Sequence, residues 1–555
     1  MHKSGSNLAS GAQEFVRFLE DHDYRHVFGL PGSSMVALLG PIAGSKVSYV
    51  PTIHESVTMA AADGYARVAG SGIALTYMLP GTANLMANLY NAWRDESPVI
   101  VLATQQISTI RSGEATIGEG DLVGLTKPFT RLSHEVTAGM PVYSWLSKAR
   151  SRAGGPPSGP AFLAMTEDAM TGSAPADPLR ASRRLGAGAP DISEPARVLR
   201  EAKAPLLVVG GQVRRHGGTE ALEELAARFE IPVAFESGFN DRMSIAPGHS
   251  HCIGPFRGRS RSYFEEADAV FVVGARFLHE AHRPATPTFP AAQFIAHVNA
   301  DSAKLEEPYS ADWSAPCDPA SFLKALLAAL ESDPPSNECL AGRREWLASK
   351  AKAATAPAAT AETETSRAMA AYASAAAHLH DALDHGWVVD EAVMASPMLM
   401  DALRSKDGRR FVGTSGASLG WGMGASAGIA LASGEPVTCV IGDGSVRFGV
   451  HALWTIQALN LPITIVVLDN SGYGSTRYFE REYLREFGDG SGEKPTYFNM
   501  DMREMGPPVA QIIEGFGIPC TRVPLGESPR AAIEEAWRNT ASGPRAVVID
   551  IGFEG

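Results

Sequence analysis

Two polar turns near the C-terminal end of the chain combine residue types that could hold a divalent cation beside a phosphate. They read Gly442-Asp443-Gly444-Ser445 and Asn470-Ser471-Gly472-Tyr473-Gly474. The side-chain oxygens of Asp443 and Asn470 are hard ligands, which suit Mg²⁺ or Ca²⁺ better than zinc. The glycines allow backbone amides to approach a phosphate closely. We therefore predict a metal and diphosphate site in which a backbone carbonyl, that of Gly472, is the third protein ligand.

The residues around these turns predict the elements that bring them together. Apolar, largely β-branched residues over 437–441 and 463–468 predict two buried strands, and apolar residues at helical spacing over 450–459 predict a helix between them. Such a unit places Asp443 and Asn470 at the carboxyl ends of parallel strands, where open α/β sheets bind ligands. The alternative is that both segments are ordinary turns at strand ends.

The first turn, followed by Asn470, resembles the cofactor motif of thiamin diphosphate enzymes. Over essentially its full length the chain resembles the superfamily of 2-oxo acid decarboxylases and acetohydroxyacid synthases, and within it the benzoylformate decarboxylase-like members. The resemblance implies thiamin diphosphate and Mg²⁺ as cofactors. It also implies that residues of both turns bind the cofactor: Gly442, Asp443, Gly444, Ser445, Asn470, Gly472, Tyr473 and Gly474.

A second segment, His54-Glu55 followed by Ala62-Asp-Gly-Tyr-Ala-Arg67, resembles the catalytic glutamate segment of that superfamily. The resemblance implies that Glu55 forms a hydrogen bond with N1′ of the cofactor's aminopyrimidine ring. A carboxyl group in an apolar site can have the raised pKa that sharing such a proton requires. From the residues alone, Glu55 could instead be an acidic residue that stabilises the first turn of a helix.

Further candidates follow from the resemblance. The segment Leu79-Pro-Gly-Thr-Ala-Asn84 resembles a glycine turn beside the cofactor, which implies a binding role for Asn84. Ser33 matches a serine of the benzoylformate decarboxylase pattern, whereas Tyr77 stands where that pattern has a histidine. The superfamily's second active-site histidine implies His279 or His282, although either could lie in a surface loop. With Glu55, these residues are the catalytic candidates.

The glycine-rich segment 413–424 resembles the part of the superfamily that holds the pyrimidine ring. The resemblance implies that Leu419 wedges beneath the cofactor and that the Ala417 carbonyl accepts from its 4′-amino group. The alternative is a glycine-rich face of a packed helix. Acetohydroxyacid synthases have a phenylalanine and a glutamine in the region aligned with Ala115 to Asp121, where this chain has Ile117 and Gly118. This difference weakens the synthase interpretation and the FAD that accompanies it.

Composition excludes several classes of protein. A formal net charge of −13 argues against nucleic acid or an anionic membrane as the main partner. The five scattered cysteines form no CxxC pair, which is typical of a reducing compartment and argues against a disulfide framework. Without an apolar signal core or a long apolar run, we expect a cytoplasmic protein.

Alternating strand and helix patterns predict the fold class, α/β with three doubly wound parallel-sheet domains. We expect a pyrimidine-binding domain over 1–175, a central domain over 190–345 and a diphosphate-binding domain over 370–555. Two weaker motifs lie in the central domain: Val208 to Arg214, a possible nucleotide loop, and His249-Ser-His251-Cys252, a possible metal tract. Residues 480–505 are predicted to form a lid from their composition.

The resemblance implies decarboxylation of a 2-oxo acid to an aldehyde, with carboligation to a 2-hydroxy ketone as a possible second outcome. An acetolactate synthase-like carboligase is the main alternative, and a cofactor-binding protein without catalysis is another. In this superfamily two domains of different subunits form each active site. We therefore expect a homodimer or homotetramer in which Asp443 and Asn470 face Glu55 of a partner chain, with no nucleic acid or membrane as partner.

Overall fold

The computed structural model describes residues 8–110, 120–175, 190–236, 243–255, 260–275, 288–305, 311–354, 364–382, 386–402, 410–488, 494–503 and 505–552. The chain forms two compact units. The first comprises Met1–Arg184, His378–Ala395 and Gly416–Gly555, and the second comprises Leu185–Ala377 and Ser396–Ser415. Among the helices within these described ranges, none has the length and apolar character that a membrane span requires.

The N-terminal region contains a six-stranded parallel sheet in the order β3-β2-β4-β5-β7-β6, and a small antiparallel pair, β1 with β8. Apolar side chains pack on both faces of the larger sheet. The strands are β1 Leu8–Ser10, β2 His26–Gly29, β3 Ser48–Pro51, β4 Gly72–Tyr77, β5 Val99–Gln105, β6 Leu132–Val136, β7 Ala161–Thr166 and β8 Ser173–Pro175. The helices are α1 Gly11–Asp21, α2 Val36–Ala43, α3 Glu55–Ala69, α4 Met78–Arg94, α5 Leu122–Thr126, α6 Val142–Gly154 and α7 Glu167–Thr171.

The central region contains a second six-stranded parallel sheet, in the order β11-β10-β9-β12-β13-β14. Its strands are β9 Pro205–Val209, β10 Val233–Phe235, β11 Cys252–Pro255, β12 Ala269–Val273, β13 Phe294–Asn299 and β14 Trp313–Pro316. Its helices are α8 Ser193–Glu201, α9 Gly211–Arg215, α10 Thr219–Phe229, α11 Arg261–Phe264, α12 Pro319–Ser332, α13 Asn337–Ala354 and α14 Glu364–Ala382.

The C-terminal region contains the third six-stranded sheet, in the order β16-β15-β17-β18-β20-β19. Its strands are β15 Trp387–Glu391, β16 Phe411–Val412, β17 Val437–Gly442, β18 Ile463–Asp469, β19 Cys520–Val523 and β20 Arg545–Asp550. Its helices are α15 Ser396–Ala402, α16 Trp421–Ser433, α17 Asp443–Phe448, α18 Ala452–Ala458, α19 Gly474–Phe487, α20 Val509–Gly515 and α21 Arg530–Asn539. The predicted fold class, three parallel-sheet α/β domains, is confirmed.

Two local predictions near the site are wrong. The segment from Leu79 to Asn84 is not a turn before a helix, because α4 already begins at Met78 and includes it. The segment Gly442 to Ser445 is not an irregular turn either, because α17 begins at Asp443, whereas the predicted helix over 450–459 is present as α18. In both places a glycine-containing segment that was expected to be irregular is helical.

Helices α3 and α16 touch through their backbones, and glycines make this possible. A Cβ atom added at Gly64 of α3 would lie 2.2 Å from the Ala425 carbonyl oxygen of α16. One added at Gly428 of α16 would lie 1.9 Å from the Ala61 carbonyl oxygen of α3. Gly424, the last residue of the glycine-rich segment 413–424, also faces α3, because a Cβ there would lie 2.7 Å from Ala60 Cβ. The end of that segment therefore lies in the contact that joins the first sheet's layer to the third.

A buried polar network lies in the same contact. Arg67 of α3 donates to both carboxylate oxygens of Asp63, each at 2.9 Å, and to Asp95 at 2.6 Å. The Trp421 indole of α16 donates to Asp63 at 2.7 Å, and the Arg67 guanidinium lies 4.6 Å from the indole ring centroid. Because buried charges are costly unless they are paired, this network fixes how α3 and α16 are aligned.

We predict that Gly428→Ala destabilises the protein by about 3 kcal/mol, because the added methyl group would overlap backbone atoms that cannot move aside. The measurement is the midpoint of urea or thermal unfolding. Gly515→Ala is the matched control, since a Cβ there meets no atom within 4 Å. An unfolding midpoint for Gly428→Ala equal to that of the control would contradict the packing described here.

Candidate functional site

The Glu55 carboxylate lies in a pocket formed by the first turns of α4. Glu55 begins α3, is buried, and accepts a hydrogen bond from Asn84 Nδ2 at 3.0 Å. A Cβ atom added at Gly81 would lie 2.8 Å from Glu55 Oε1 and 2.7 Å from Thr76 Oγ1. Only glycine at position 81 therefore lets α4 pass this close to the carboxylate.

Thr76 was not among the predicted site residues. It is fully buried at the end of β4, and its hydroxyl oxygen has no hydrogen-bond partner among the described residues. The same added Cβ at Gly81 would contact both this hydroxyl and Glu55, so the two polar groups lie on the same side of α4. The available signal in the sequence was only that Thr76 directly precedes Tyr77.

Ser33 and Tyr77, which are far apart in the sequence, are brought together by the first sheet. Their hydroxyl oxygens are 2.9 Å apart, and either can donate. Gly32 lies against the aromatic ring, because a Cβ there would be 2.2 Å from Tyr77 Cδ2. Tyr77 directly precedes α4 but its side chain does not cap the helix. Met78 has a φ of 46°, which is unusual for a residue other than glycine and marks a sharp change of direction.

Asp443 has the properties of a cation ligand. It is buried beyond the carboxyl end of β17, and its Oδ2 has no hydrogen-bond partner among the described residues. Burial, and then the nearby charge of Asp469, raise its pKa to about 7. A carboxylate with a free oxygen next to a second acidic residue favours a bound cation.

The surroundings of Asp443 leave room for a phosphate. A Cβ atom at Gly442 would meet nothing within 4 Å, and one at Gly444 would meet only Met502 Cε, at 3.7 Å. In the parts of the chain that the structure describes, no group of three or more His, Cys, Asp or Glu side chains could hold a metal ion. A metal bound here would therefore need amide and carbonyl oxygens beside Asp443, as the sequence predicted. The residues present fit Mg²⁺ and a diphosphate.

The second turn directly follows β18, the strand paired with β17. Asn470 Oδ1 accepts from the Gly472 amide at 3.1 Å, and one such oxygen can accept a second partner. The buried Arg477 donates to the Asn470 carbonyl at 3.3 Å. A Cβ at Gly472 would lie 2.4 Å from the Arg477 guanidinium, so this glycine allows the guanidinium to support the turn.

Residues 494–503 of the predicted lid are hydrogen-bonded to this turn. The Tyr473 amide donates to the Met500 carbonyl at 3.0 Å, and the Met502 amide donates to the Ser471 carbonyl at 2.8 Å. Glu480 of α19 accepts from the Thr496 amide at 2.8 Å. Three exposed aromatic side chains follow one another at four-residue spacing on α19: Phe479, Tyr483 and Phe487. That this segment closes over a ligand stays a prediction.

The loop that carries Ala417 and Leu419 is held by a carboxylate that sequence reasoning missed, Glu391. This residue ends β15, is buried, and accepts from the Gly420 amide at 2.5 Å and from the Gly422 amide at 2.6 Å. Burial raises its pKa to about 7, and these amide hydrogen bonds oppose the shift. The loop backbone is unusual, with φ values of 57° at Ala417 and 82° at Gly420. Glu391 thus fixes the start of α16 directly behind this loop.

Helix α18, beyond the Asp443 turn, packs beside the start of α3 in the same chain. The His54 and His451 rings stack with centroids 4.6 Å apart, and the Thr455 hydroxyl donates to the Pro51 carbonyl at 3.3 Å. Burial, and then His54, lower the pKa of His451. The expectation that Glu55 of a partner chain faces Asp443 stays a prediction.

The weaker motifs of the central region have structural explanations. Gly210 packs against the loop after β12, because a Cβ there would lie 2.3 Å from the Gly274 carbonyl oxygen. Gln212 donates to Asn299 at 2.9 Å across the same strand ends. His251 pairs with Glu230 at 3.0 Å. The candidates His279, His282, Ile117 and Gly118 lie outside the described residues.

Family models of thiamine pyrophosphate enzymes match three parts of the chain. Residues 9–125 match the N-terminal TPP binding domain and residues 192–326 match the central domain. Residues 394–551 match the C-terminal TPP binding domain. The first and third matches contain Glu55 and the two polar turns, respectively.

Known proteins are similar over almost the whole chain. The chain is 26% identical to a benzoylformate decarboxylase of Pseudomonas aeruginosa, over 96% of this chain and 97% of that protein. It is 23% identical to a probable acetolactate synthase large subunit of Methanocaldococcus jannaschii, over 97% and 92% of the two chains. Its fold is similar to that of a thiamine diphosphate-dependent 4-hydroxybenzoylformate decarboxylase of Rhodococcus jostii, with a TM-score of 0.81, 23% identity and coverage of 98% and 100%.

We predict that Glu391→Gln changes the pH dependence of stability. The pKa of Glu391 is about 7 in the folded protein, whereas the ordinary value is 4.5. At pH values between these two, the folded protein therefore retains a proton on Glu391 that the unfolded chain has lost. The wild-type protein therefore loses stability as pH rises through this window, by about 3 kcal/mol from this group. The neutral amide of the variant has no such loss.

The measurement is urea unfolding at several pH values from 5 to 8. The stability of Glu391→Gln relative to wild type should rise with pH. Glu527→Gln, at an exposed position, is the control and should follow the wild-type curve. A wild-type-like slope for Glu391→Gln would show that this carboxylate is not held as described.

Proposed function

Because the chain belongs to the thiamine pyrophosphate enzyme family, we propose that it decarboxylates a 2-oxo acid to an aldehyde, with Mg²⁺ as the second cofactor. The observation that carries this proposal is the Glu55 carboxylate. It is buried, is held by Asn84 on one oxygen, and has its other oxygen beside Gly81 and Thr76. A carboxylate in this environment is suited to hold and transfer a proton.

We assign the cofactor-binding roles as follows. Asp443, Asn470 and the Gly472 carbonyl would hold Mg²⁺, and the open backbone around Gly442 and Gly444 would accept the diphosphate. Ser445, Tyr473 and Gly474 would contribute to the same diphosphate site, and the loop with Ala417 and Leu419 would hold the pyrimidine ring. When bound, thiamin diphosphate supplies the electron sink that allows CO₂ to leave a 2-oxo acid.

The Ser33–Tyr77 pair supports an aromatic or similarly bulky 2-oxo acid as the substrate. Each of the two hydroxyl groups can donate or accept a hydrogen bond. Such a pair can orient a substrate carboxylate or pass a proton, and the flat Tyr77 ring beside Gly32 offers an apolar surface. Similarity to decarboxylases of benzoylformate and 4-hydroxybenzoylformate agrees with this substrate class.

An acetolactate synthase-like carboligase is the second candidate, and the similarity to acetolactate synthase subunits favours it. Both outcomes need the same proton transfer at Glu55 and the same cofactor anchor at Asp443. A protein that binds the cofactor without catalysis would not need Glu55 in its buried position. We further propose a homodimer or homotetramer in the cytoplasm, with each site completed by a partner chain.

Glu55→Gln should reduce turnover by about 10²- to 10⁴-fold, the usual contribution of a positioned acid or base. The amide retains the size of the side chain, so cofactor binding should persist. Turnover and the dissociation constant of thiamin diphosphate are the two measurements. Wild-type turnover in the variant would contradict the role assigned to Glu55.

The substrate assignment is tested by incubating the enzyme with phenylglyoxylate, pyruvate and branched 2-oxo acids, and identifying the products by mass spectrometry. Omitting thiamin diphosphate and Mg²⁺ in turn provides the controls, and either omission should abolish the reaction. We expect benzaldehyde and CO₂ from phenylglyoxylate. Acetolactate from pyruvate would instead support the synthase, and no CO₂ from any acid would overturn both candidates.

A further inference from the structure

Three asparagines of α4, Asn84, Asn88 and Asn91, occupy one face of the helix. Residues three and four positions apart in a helix lie on the same side, so the spacing aligns them. Each side chain binds a different part of the candidate site. Asn84 donates to Glu55, and Asn88 Nδ2 donates to the Ser56 carbonyl at 2.9 Å.

The Asn91 side chain is hydrogen-bonded to the loop that precedes α16. Its Nδ2 donates to the Ser418 carbonyl at 2.9 Å, and its Oδ1 accepts from the Ser418 amide at 3.1 Å. Ser418 lies between Ala417 and Leu419, so these hydrogen bonds fix the backbone of the predicted pyrimidine-binding loop. A Cβ at Gly416 would lie 2.1 Å from Asn91 Oδ1, which explains the glycine there.

Asn91 also contacts Asn88, one turn earlier in α4. Its Nδ2 donates to Asn88 Oδ1 at 3.0 Å. The Asn91 side-chain amide therefore uses both of its hydrogens and its oxygen. Its nitrogen faces two acceptors, the Ser418 carbonyl and Asn88 Oδ1, and its oxygen faces the Ser418 amide, so the side chain cannot be flipped without losing these bonds. Asn91 and Asn88 are both buried, so an unmade bond would not be replaced by one to bulk water.

We propose that Asn91 is a positioning residue for the cofactor-binding loop, and that Asn91 and Asn88 couple this loop to the start of α3 in the same chain, where Asn88 binds the Ser56 carbonyl next to Glu55. Glu391 holds the loop from the third sheet, through Gly420 and Gly422, and Asn91 holds it from the first domain. The two supports act at neighbouring residues. This inference rests on the proposed function, since it assumes that the loop binds thiamin diphosphate.

The first test compares cofactor affinity in wild type and Asn91→Ala, using the quenching of tryptophan fluorescence when thiamin diphosphate and Mg²⁺ are added to the cofactor-free enzyme. Loss of two buried hydrogen bonds to the loop should raise the dissociation constant roughly tenfold or more. Asn299→Ala is the matched control. Asn299 is also buried and hydrogen-bonded, to Gln212 and the Ala275 carbonyl, but lies in the second unit.

If Asn91→Ala does not fold, Asn91→Asp replaces it, because the carboxylate still accepts from the Ser418 amide but cannot donate. An unchanged dissociation constant in the folded variant, or an equal increase in Asn299→Ala, would overturn the positioning role. Failure of wild type to bind thiamin diphosphate would instead overturn the proposed function, so the two failures are distinguishable.

Coupling is tested by a double-mutant cycle of Asn88→Ala and Asn91→Ala, with Asn88→Ala and Asn299→Ala as the parallel control cycle. We expect the combined effect on the cofactor dissociation constant to differ from the product of the single effects by at least threefold. Independent effects are expected in the control cycle. Multiplicative effects in both cycles would show that the asparagines act separately.

A cofactor-independent readout completes the design. Hydrogen exchange of the Ser418 amide in the cofactor-free protein should accelerate in Asn91→Ala, because that amide loses its acceptor, and should be unchanged in Asn299→Ala. Equal exchange in wild type and Asn91→Ala would overturn the contact on which the proposal depends.

Discussion

The direct backbone contact between α3 and α16 is the constraint on which the described site depends. Gly64 and Gly428 allow each helix to reach the backbone of the other, and side chains at these positions would separate them. The helix that begins with Glu55 is thereby held against the helix that follows the Ala417–Leu419 loop. Any change in this separation would move Glu55 and the loop relative to each other, because both lie at the ends of these helices.

Two buried carboxylates at the edge of the third sheet differ in how their oxygens are hydrogen-bonded. Glu391 and Asp443 follow adjacent strands, and burial raises the pKa of each to about 7. The Glu391 oxygens accept from backbone amides, which satisfies the charge within the protein. Asp443 Oδ2 has no such partner among the described residues, so it has the free oxygen that the proposed cation site requires. The difference lies in the hydrogen bonds and not in the degree of burial.

The long periodic elements could be predicted from the sequence, because their signals are local. Strand β17, Val437–Gly442, and strand β18, Ile463–Asp469, each extend only one residue beyond the predicted 437–441 and 463–468. Glu391 and Asn91 could not be assigned, because their roles depend on contacts with residues distant in the chain, such as Asn91 with Ser418. The asparagine spacing of α4 was visible in the sequence, but without the position of the loop it indicates only a polar helix face. The assignment of Leu79 to Asn84 to a turn failed because glycine and proline can also occupy the first turns of a helix.

At the junction between β4 and α4, the backbone changes direction at one residue and the Tyr77 side chain projects from the residue before it. Tyr77 directly precedes α4, but its side chain does not cap the helix. The backbone changes direction at Met78, one residue later. The side chain at position 77 therefore makes no hydrogen bond that starts the helix, although it lies next to Thr76 and within hydrogen-bonding distance of Ser33. A different side chain at that position would not remove a cap from the start of α4. Relatives that share these three sheets could in this way diverge in substrate while they keep one cofactor anchor.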